Sequence, residues 1–302
     1  MQGSRFTATT LGALLASLIV AACAAEPTPT PTPAPTPTPG IQEWESILGT
    51  TVLRTGTQRV AFLLASGTDL VRVPEATVTT TSLDGGAEGE TATAQFHEWP
   101  FGTRGSYVTQ MTFPQAGAWR LDIEGEGGVA TLDVLVDETS IVRDVGELGV
   151  FSNTKTLQGT GGDLGSITSH YRPDPALYEI SVAEALFNRK PTVVVFASPA
   201  FCTTPTCGPQ VETVTELREA YPGAADYIHV EVYDNPHEIQ GDLTKGVLSP
   251  VLEEWGIDQV PHYQNESWTF ILGADARIAE RFEGYATFTE LEEALREVTA
   301  GA

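Results

Sequence analysis

The 302-residue chain has little of three things: basic side chains, cysteine and long apolar runs. Sixteen Lys and Arg face forty Asp and Glu, a formal net charge of −24. Nucleic acid binding needs a basic surface, so that partner class is excluded. Docking on anionic lipid by charge alone is excluded for the same reason. There are only three cysteines, Cys23, Cys202 and Cys207. None of them forms the C-x2-C knuckle usual in structural zinc sites. The apolar run "LGALLASLIVAAC" falls short of the ~20 residues that an ordinary transmembrane helix needs.

What is there begins at the N-terminus. Arg5 and the short apolar run read as a secretory signal peptide over residues 1–22. The ending "VAAC" resembles a bacterial lipobox, which implies cleavage before Cys23 and lipid attachment to it. Residues 23–41 then carry "EPTPTPTPAPTPTPG". Alternating proline removes backbone donors and forbids helix or sheet. The stretch favours an extended polyproline II spacer, which sets a domain roughly 40 Å from its anchor. The expected location is the outer face of the cytoplasmic membrane or the cell surface, where disulfides persist.

Hydrophobic residues make up 41% of the chain, enough for a real core, and the length suits two domains. Residues 42–137 read as all-β. Short alternating runs such as "RVAFLLAS", "ATVTTTSL" and "VATLDVLVD" are separated by Gly-, Pro- and Asp-rich turns. About seven strands in this length predict an immunoglobulin-like sandwich. "YVTQMTFPQAGAWRLDIE" predicts its central hairpin, with Trp119, Leu121 and Ile123 on one face. His97 beside Trp99 reads as an ordinary edge residue.

Residues 138–177 are rich in Gly, Pro and Asp and read as a linker whose later half wraps the second domain. That domain, residues 178–302, alternates helix and strand. Ser181 and Glu184 form the S-x-x-E spacing of a capping box. "PTVVVFAS" is the continuous apolar run of a buried central strand. In "YIHVEVYD", Ile228, Val230 and Val232 alternate against His229 and Glu231. The predicted order is α-β-α-β-α-β-β-α.

That order, with a cysteine pair after the first core strand in "VVVFASPAFC", resembles the thioredoxin-like superfamily. "EEWGIDQVP" and the hairpin "WTFILGADARIAERFEGY" carry the resemblance further. It implies a thiol–disulfide oxidoreductase whose partners are protein thiols or disulfides. Cys202 and Cys207 would be its catalytic pair, although their C-x4-C spacing departs from the family's C-x-x-C. In one mapping Cys202 attacks and Cys207 resolves, with Thr203 to Thr206 shaping an expanded loop. In the other, "CGPQ" stands for the family's C-G-P-C, so Cys207 attacks and Gln210 replaces the second thiol. The first is preferred. The family's substrate-binding cis-proline has two candidate counterparts: Pro261, which follows Val260 but has six residues between it and Trp268, and Ser267, which is nearer the expected place but is not proline, with Trp268 beside it. No acidic residue precedes "PTVVVF" to match the one buried under the family's site.

Two alternatives stay open. The pair could be an inert staple in a non-catalytic cell-surface binding module. A bridge closing so short a loop stabilises by only roughly 2 kcal/mol, which weakens that reading. The chain could instead handle copper through Cys202, Cys207 and His262, with His229 and His237 as lesser ligands, since two thiolates and an imidazole suit Cu(I). The oxidoreductase reading itself needs no cofactor.

Overall fold

The structure is a computed structural model that describes residues 40–100, 104–261, 263 and 267–300. The signal peptide, Cys23, most of the tether and His262 lie outside the described residues. The protein is mostly β, with two sheets and few helices.

The first sheet holds β1 (Gln42–Glu43), β2 (Glu45–Leu48), β3 (Leu53–Arg54), β4 (Gly56–Ser66) and β5 (Asp69–Leu70). It continues with β6 (Glu75–Ser82), β7 (Thr91–Glu98), β8 (Gly105–Phe113), β9 (Gly117–Gly125) and β10 (Gly128–Asp137). β2, β4 and β8 form one layer; β6, β9 and β10 form the other. Hydrogen bonding nevertheless runs through all ten strands, because β7 changes layers. Thr91–Gln95 pair with β6, and Gln95–Glu98 pair with β8. The layers enclose Phe62, Tyr107 and Met111 on one side and Val78, Trp119, Leu121 and Ile123 on the other. Side-chain alternation at period two puts these residues inward together.

The second region holds α1 (Val182–Phe187), β11 (Thr192–Ala197), α2 (Cys207–Ala220), β12 (Asp226–Glu231), α3 (Pro236–Ile239) and α4 (Pro250–Trp255). β13 (Trp268–Leu272), β14 (Ile278–Glu283) and α5 (Phe288–Ala300) complete it. The predicted succession is present, with one added short helix, α3. The strand order is β12-β11-β13-β14. β11 and β12 are parallel, β13 runs antiparallel to β11, and β14 antiparallel to β13.

Every residue of β11 is buried, because both sheet faces are covered. Val193 and Val195 pack with Val211 and Val214 of α2 and Leu291 of α5. Val194 and Phe196 pack on the other face with Leu186 of α1 and Trp255 of α4. The Ser181–Glu184 capping box makes both of its reciprocal bonds. α4 stops at Gly256, whose φ is 75° and whose added Cβ would meet the Ile141 carbonyl at 2.2 Å. Only glycine fits that conformation beside that carbonyl.

Residues 138–177 lie against the second sheet region over much of their length. Arg143 N donates to Trp255 O, and Gly149 N to Ala276 O. Val142 enters one core face, and Ile167 and Leu177 the other.

The two sheets meet at the end of β14. The Glu283 carboxylate accepts from the backbone N–H of Thr51 at 2.8 Å and of Val52 at 3.0 Å, and from the Thr51 hydroxyl. Arg59 of β4 donates to Glu290 at 2.7 Å and to the carbonyls of Glu283 and Tyr285. Burial acts to raise the Glu290 carboxyl, but Arg59 outweighs it and holds the group below its usual range. Removing one member of a buried pair strands the other charge. Arg59→Ala should therefore cost about 3–5 kcal/mol in chemical unfolding, against under about 1 kcal/mol for an exposed pair such as Arg72–Glu98.

Candidate functional site

The buried strand β11 ends at Ala197, and the chain turns at once, with Phe201 N donating to Ser198 O at 3.0 Å. Cys202 follows in the loop, and Cys207 is the first residue of α2. The two are bridged, with Cα atoms 6.0 Å apart. Thr203–Thr206 supply the turn that the extra spacing needs, since positions i and i+5 of a continuous helix face different ways. Cys202 is half-buried and Cys207 fully buried, so Cys202 is the sulfur closer to solvent.

The threonines around the bridge are turned toward each other and toward sulfur. Thr204 Oγ1 is 3.5 Å from Cys202 Sγ, and Thr206 Oγ1 is 4.0 Å away. The two hydroxyls are 2.9 Å apart. A bridged sulfur carries no proton, so it can only accept. Thr206 is also the N-cap of α2, but its side chain makes no capping bond. The first-turn N–H groups thus lack the usual side-chain acceptor. Their partial positive charge lies at Cys207, where it favours a thiolate once the bridge opens.

The helix frame places Gln210 where the second thiol of a C-x-x-C pair would stand. Gln210 is fully buried, and its Oε1 accepts from Ala286 N at 2.7 Å. α2 therefore begins as the second mapping expects, at Cys207. The order of exposure is that of the first mapping, with Cys202 outermost.

Behind the loop lie two buried titratable groups on β12. Ile228, Val230 and Val232 alternate with His229 and Glu231 along β12, yet both sets are buried. β12 is buried on both faces because residues 167–178 cover it. Glu231 pairs across from Ala197 and accepts from Ser169 N at 2.7 Å and Val232 N at 3.0 Å. Ser169 Oγ in turn accepts from Ala200 N at 3.1 Å, which ties the acid to the turn that leads to Cys202. Burial pushes the Glu231 carboxyl up. The stretch before "PTVVVF" holds no such acid; the neighbouring strand does. Glu231 in the strand that follows α2, two residues after His229, is the signal in the sequence that marks it.

His229 Nε2 is 3.0 Å from Ala197 O, which can only accept, so Nε2 donates. Nδ1 then accepts from the Tyr178 hydroxyl at 2.7 Å. Burial pushes His229 down to about 4, so the ring is neutral. With both nitrogens committed, His229 does not serve as a copper ligand. Among the described residues no group of three His, Cys, Asp or Glu is placed to hold a metal.

The remaining candidates divide. Pro261 and Trp268 line a cleft of about 670 Å³, together with Thr204, Pro205 and Thr206 of the cysteine loop. Ser267 is fully buried and donates to Gly284 O at 2.9 Å. It holds β13 to the turn after β14. The opposite wall of the cleft comes from the first sheet, through Ile47, Leu63, Trp99 and Arg104. Trp99, in sequence only the neighbour of an ordinary edge residue, packs on Tyr285 with ring centroids 5.7 Å apart.

No family model matches the chain, and no curated protein matches it. Among solved structures, a thiol:disulfide interchange protein of the thioredoxin family from Chlorobium tepidum TLS is similar at 9% identity and a TM-score of 0.30. The match covers 45% of this chain and 97% of that one. The Lin-41 filamin domain is similar at 14% identity and a TM-score of 0.21, over 31% of this chain and 93% of that one. Likenesses this distant carry no weight for function.

The buried acid gives a test. Glu231 has a folded pKa raised above its unfolded value, so its contribution to stability is present at low pH and is lost as pH rises. Glu231→Gln stays neutral throughout. The melting temperature of the native protein should fall relative to Glu231→Gln as pH rises above the ordinary glutamate range. A gap independent of pH would show that Glu231 is not held protonated by its burial.

Proposed function

We propose that the chain is a membrane-anchored, extracytoplasmic thiol–disulfide exchange protein with a thioredoxin-like second region. The observation that supports this most is the position of the bridge. It joins the end of a central buried strand to the first residue of α2, with one sulfur near solvent and one buried. The sheet order β12-β11-β13-β14, with only β13 reversed, is consistent with that architecture.

In the reduced protein, the Cys202 thiolate attacks a substrate disulfide. One S–S bond forms, the substrate bond breaks, and one substrate thiolate leaves with the electron pair. Cys207 then attacks Cys202 Sγ, restores the intramolecular bridge and releases the second substrate thiolate. The reverse sequence oxidises a substrate dithiol. The hydroxyls of Thr204 and Thr206 are placed to donate to a Cys202 thiolate, and the N-terminus of α2 supports one on Cys207. Gln210 in place of a thiol leaves Cys202 as the only cysteine near the helix start to partner Cys207.

Anchoring rests on the sequence of residues 1–41: export by the apolar run, lipid on Cys23 and a stiff spacer after it. Cys23→Ser should move the protein from the membrane to the soluble fraction.

The exchange reading is tested by equilibrating the Cys202–Cys207 couple with dithiothreitol. A potential less negative than about −300 mV is expected, with transfer to a protein substrate. Cys207→Ser should trap a mixed disulfide through Cys202. A potential well below that value with no transfer marks an inert staple and defeats the proposal.

A further inference from the structure

The cleft before the cysteine loop has two walls from different parts of the chain. One belongs to the proposed exchange site: Thr204–Thr206, Pro261 and Trp268. The other belongs to the first sheet, which the exchange reading does not use. Ile47 and Leu63 present aliphatic surface to the cleft, and Trp99 presents an indole. Ile47 is 55% exposed despite its size. The volume, about 670 Å³, falls within the ~300–1,000 Å³ typical of small-molecule sites. Such sites are mostly apolar with a few placed polar groups.

The charges at this cleft are unequal. Glu283 reaches it, but both of its oxygens are engaged by Thr51 and Val52. Arg104 also lines it, is exposed, and has no ion pair among the described residues. Arg54, Arg59, Arg72 and Arg281 each hold a carboxylate partner, and Arg104 shares its outer side with Asp69 and Arg72. In a chain of net charge −24, a cation left unspent at the rim of an apolar cleft is complementary to one anionic group.

We infer that this cleft binds an apolar small molecule bearing a single negative group, with the first sheet supplying its apolar wall and Arg104 its anion contact. The inference rests on the exchange reading only for the identity of the opposite wall. Both an acyl carboxylate from lipid and a soluble aromatic acid have this chemistry.

The test uses 1-anilinonaphthalene-8-sulfonate as probe on the oxidised full chain. Saturable, near-stoichiometric fluorescence enhancement is expected. Arg104→Gln should weaken it about tenfold, the worth of one charged hydrogen bond. Ile47→Glu should weaken it at least as much, and Ile47 is exposed enough that the fold tolerates the change; near-ultraviolet circular dichroism confirms this. Displacement by dodecanoate identifies an acyl source, and displacement by naphthalene-1-carboxylate an aromatic one. Dodecanol displacing as well as dodecanoate overturns the anionic part. Absence of saturable binding, or binding indifferent to both substitutions, overturns the site. Thiol exchange measured on the same protein is read separately. Exchange without probe binding defeats the cleft alone, and binding without exchange defeats the redox reading alone.

Discussion

Everything placed around the cysteine loop depends on how the end of β14 is sealed. Glu283 and Arg59 are buried charges, and burial without partners is costly. Each is satisfied by groups from the other region of the chain. Glu283 takes two backbone donors and one hydroxyl from residues 51–52. Arg59 reaches the carbonyls of Glu283 and Tyr285 and the Glu290 carboxylate. Burial pushes the Glu283 carboxyl up, and the Thr51 and Val52 donors offset part of this. These bonds hold residues 51–52 and β4 against the β14–α5 turn, and Glu283, Gly284 and Tyr285 line the cleft beside them.

The same turn reaches the cysteine loop from behind. Tyr285 packs on Trp99 and lies 3.1 Å from the Thr213 hydroxyl of α2, and Ala286 N is held by Gln210. Gln210 therefore satisfies a buried backbone donor where the turn meets α2. A cysteine there could not do so as well, because sulfur is a weak acceptor.

Elements are legible in the sequence where pattern and packing coincide. β11 is legible because a strand covered on both faces must be apolar throughout. α1 is legible from its capping box, and α5 from its apolar spacing. The hairpin carrying Trp119 is legible from alternation. Legibility fails where cover comes from distant sequence. Glu231 and His229 look like the polar side of an alternating strand, and only residues 167–178 make them buried. Layer switching by β7 at Gln95 is also hidden, since its register depends on two partners rather than on its own residues. Of the site candidates, Pro261 and Trp268 meet the cysteine loop at one cleft, while Ser267 serves the hairpin. Trp99 and Leu63 escape a sequence reading because nothing local marks a residue as facing another region.

The bridge and the cleft share a segment. Thr204, Pro205 and Thr206 are both the span closed by the disulfide and part of the cleft wall. In the exchange proposed above, opening the bridge would release the constraint on that span and so alter this wall. A ligand that prefers one wall must shift the couple toward that state, because linkage is reciprocal. A tenfold preference corresponds to about 1.4 kcal/mol, or about 30 mV for a two-electron couple. Such a shift needs no contact between ligand and sulfur.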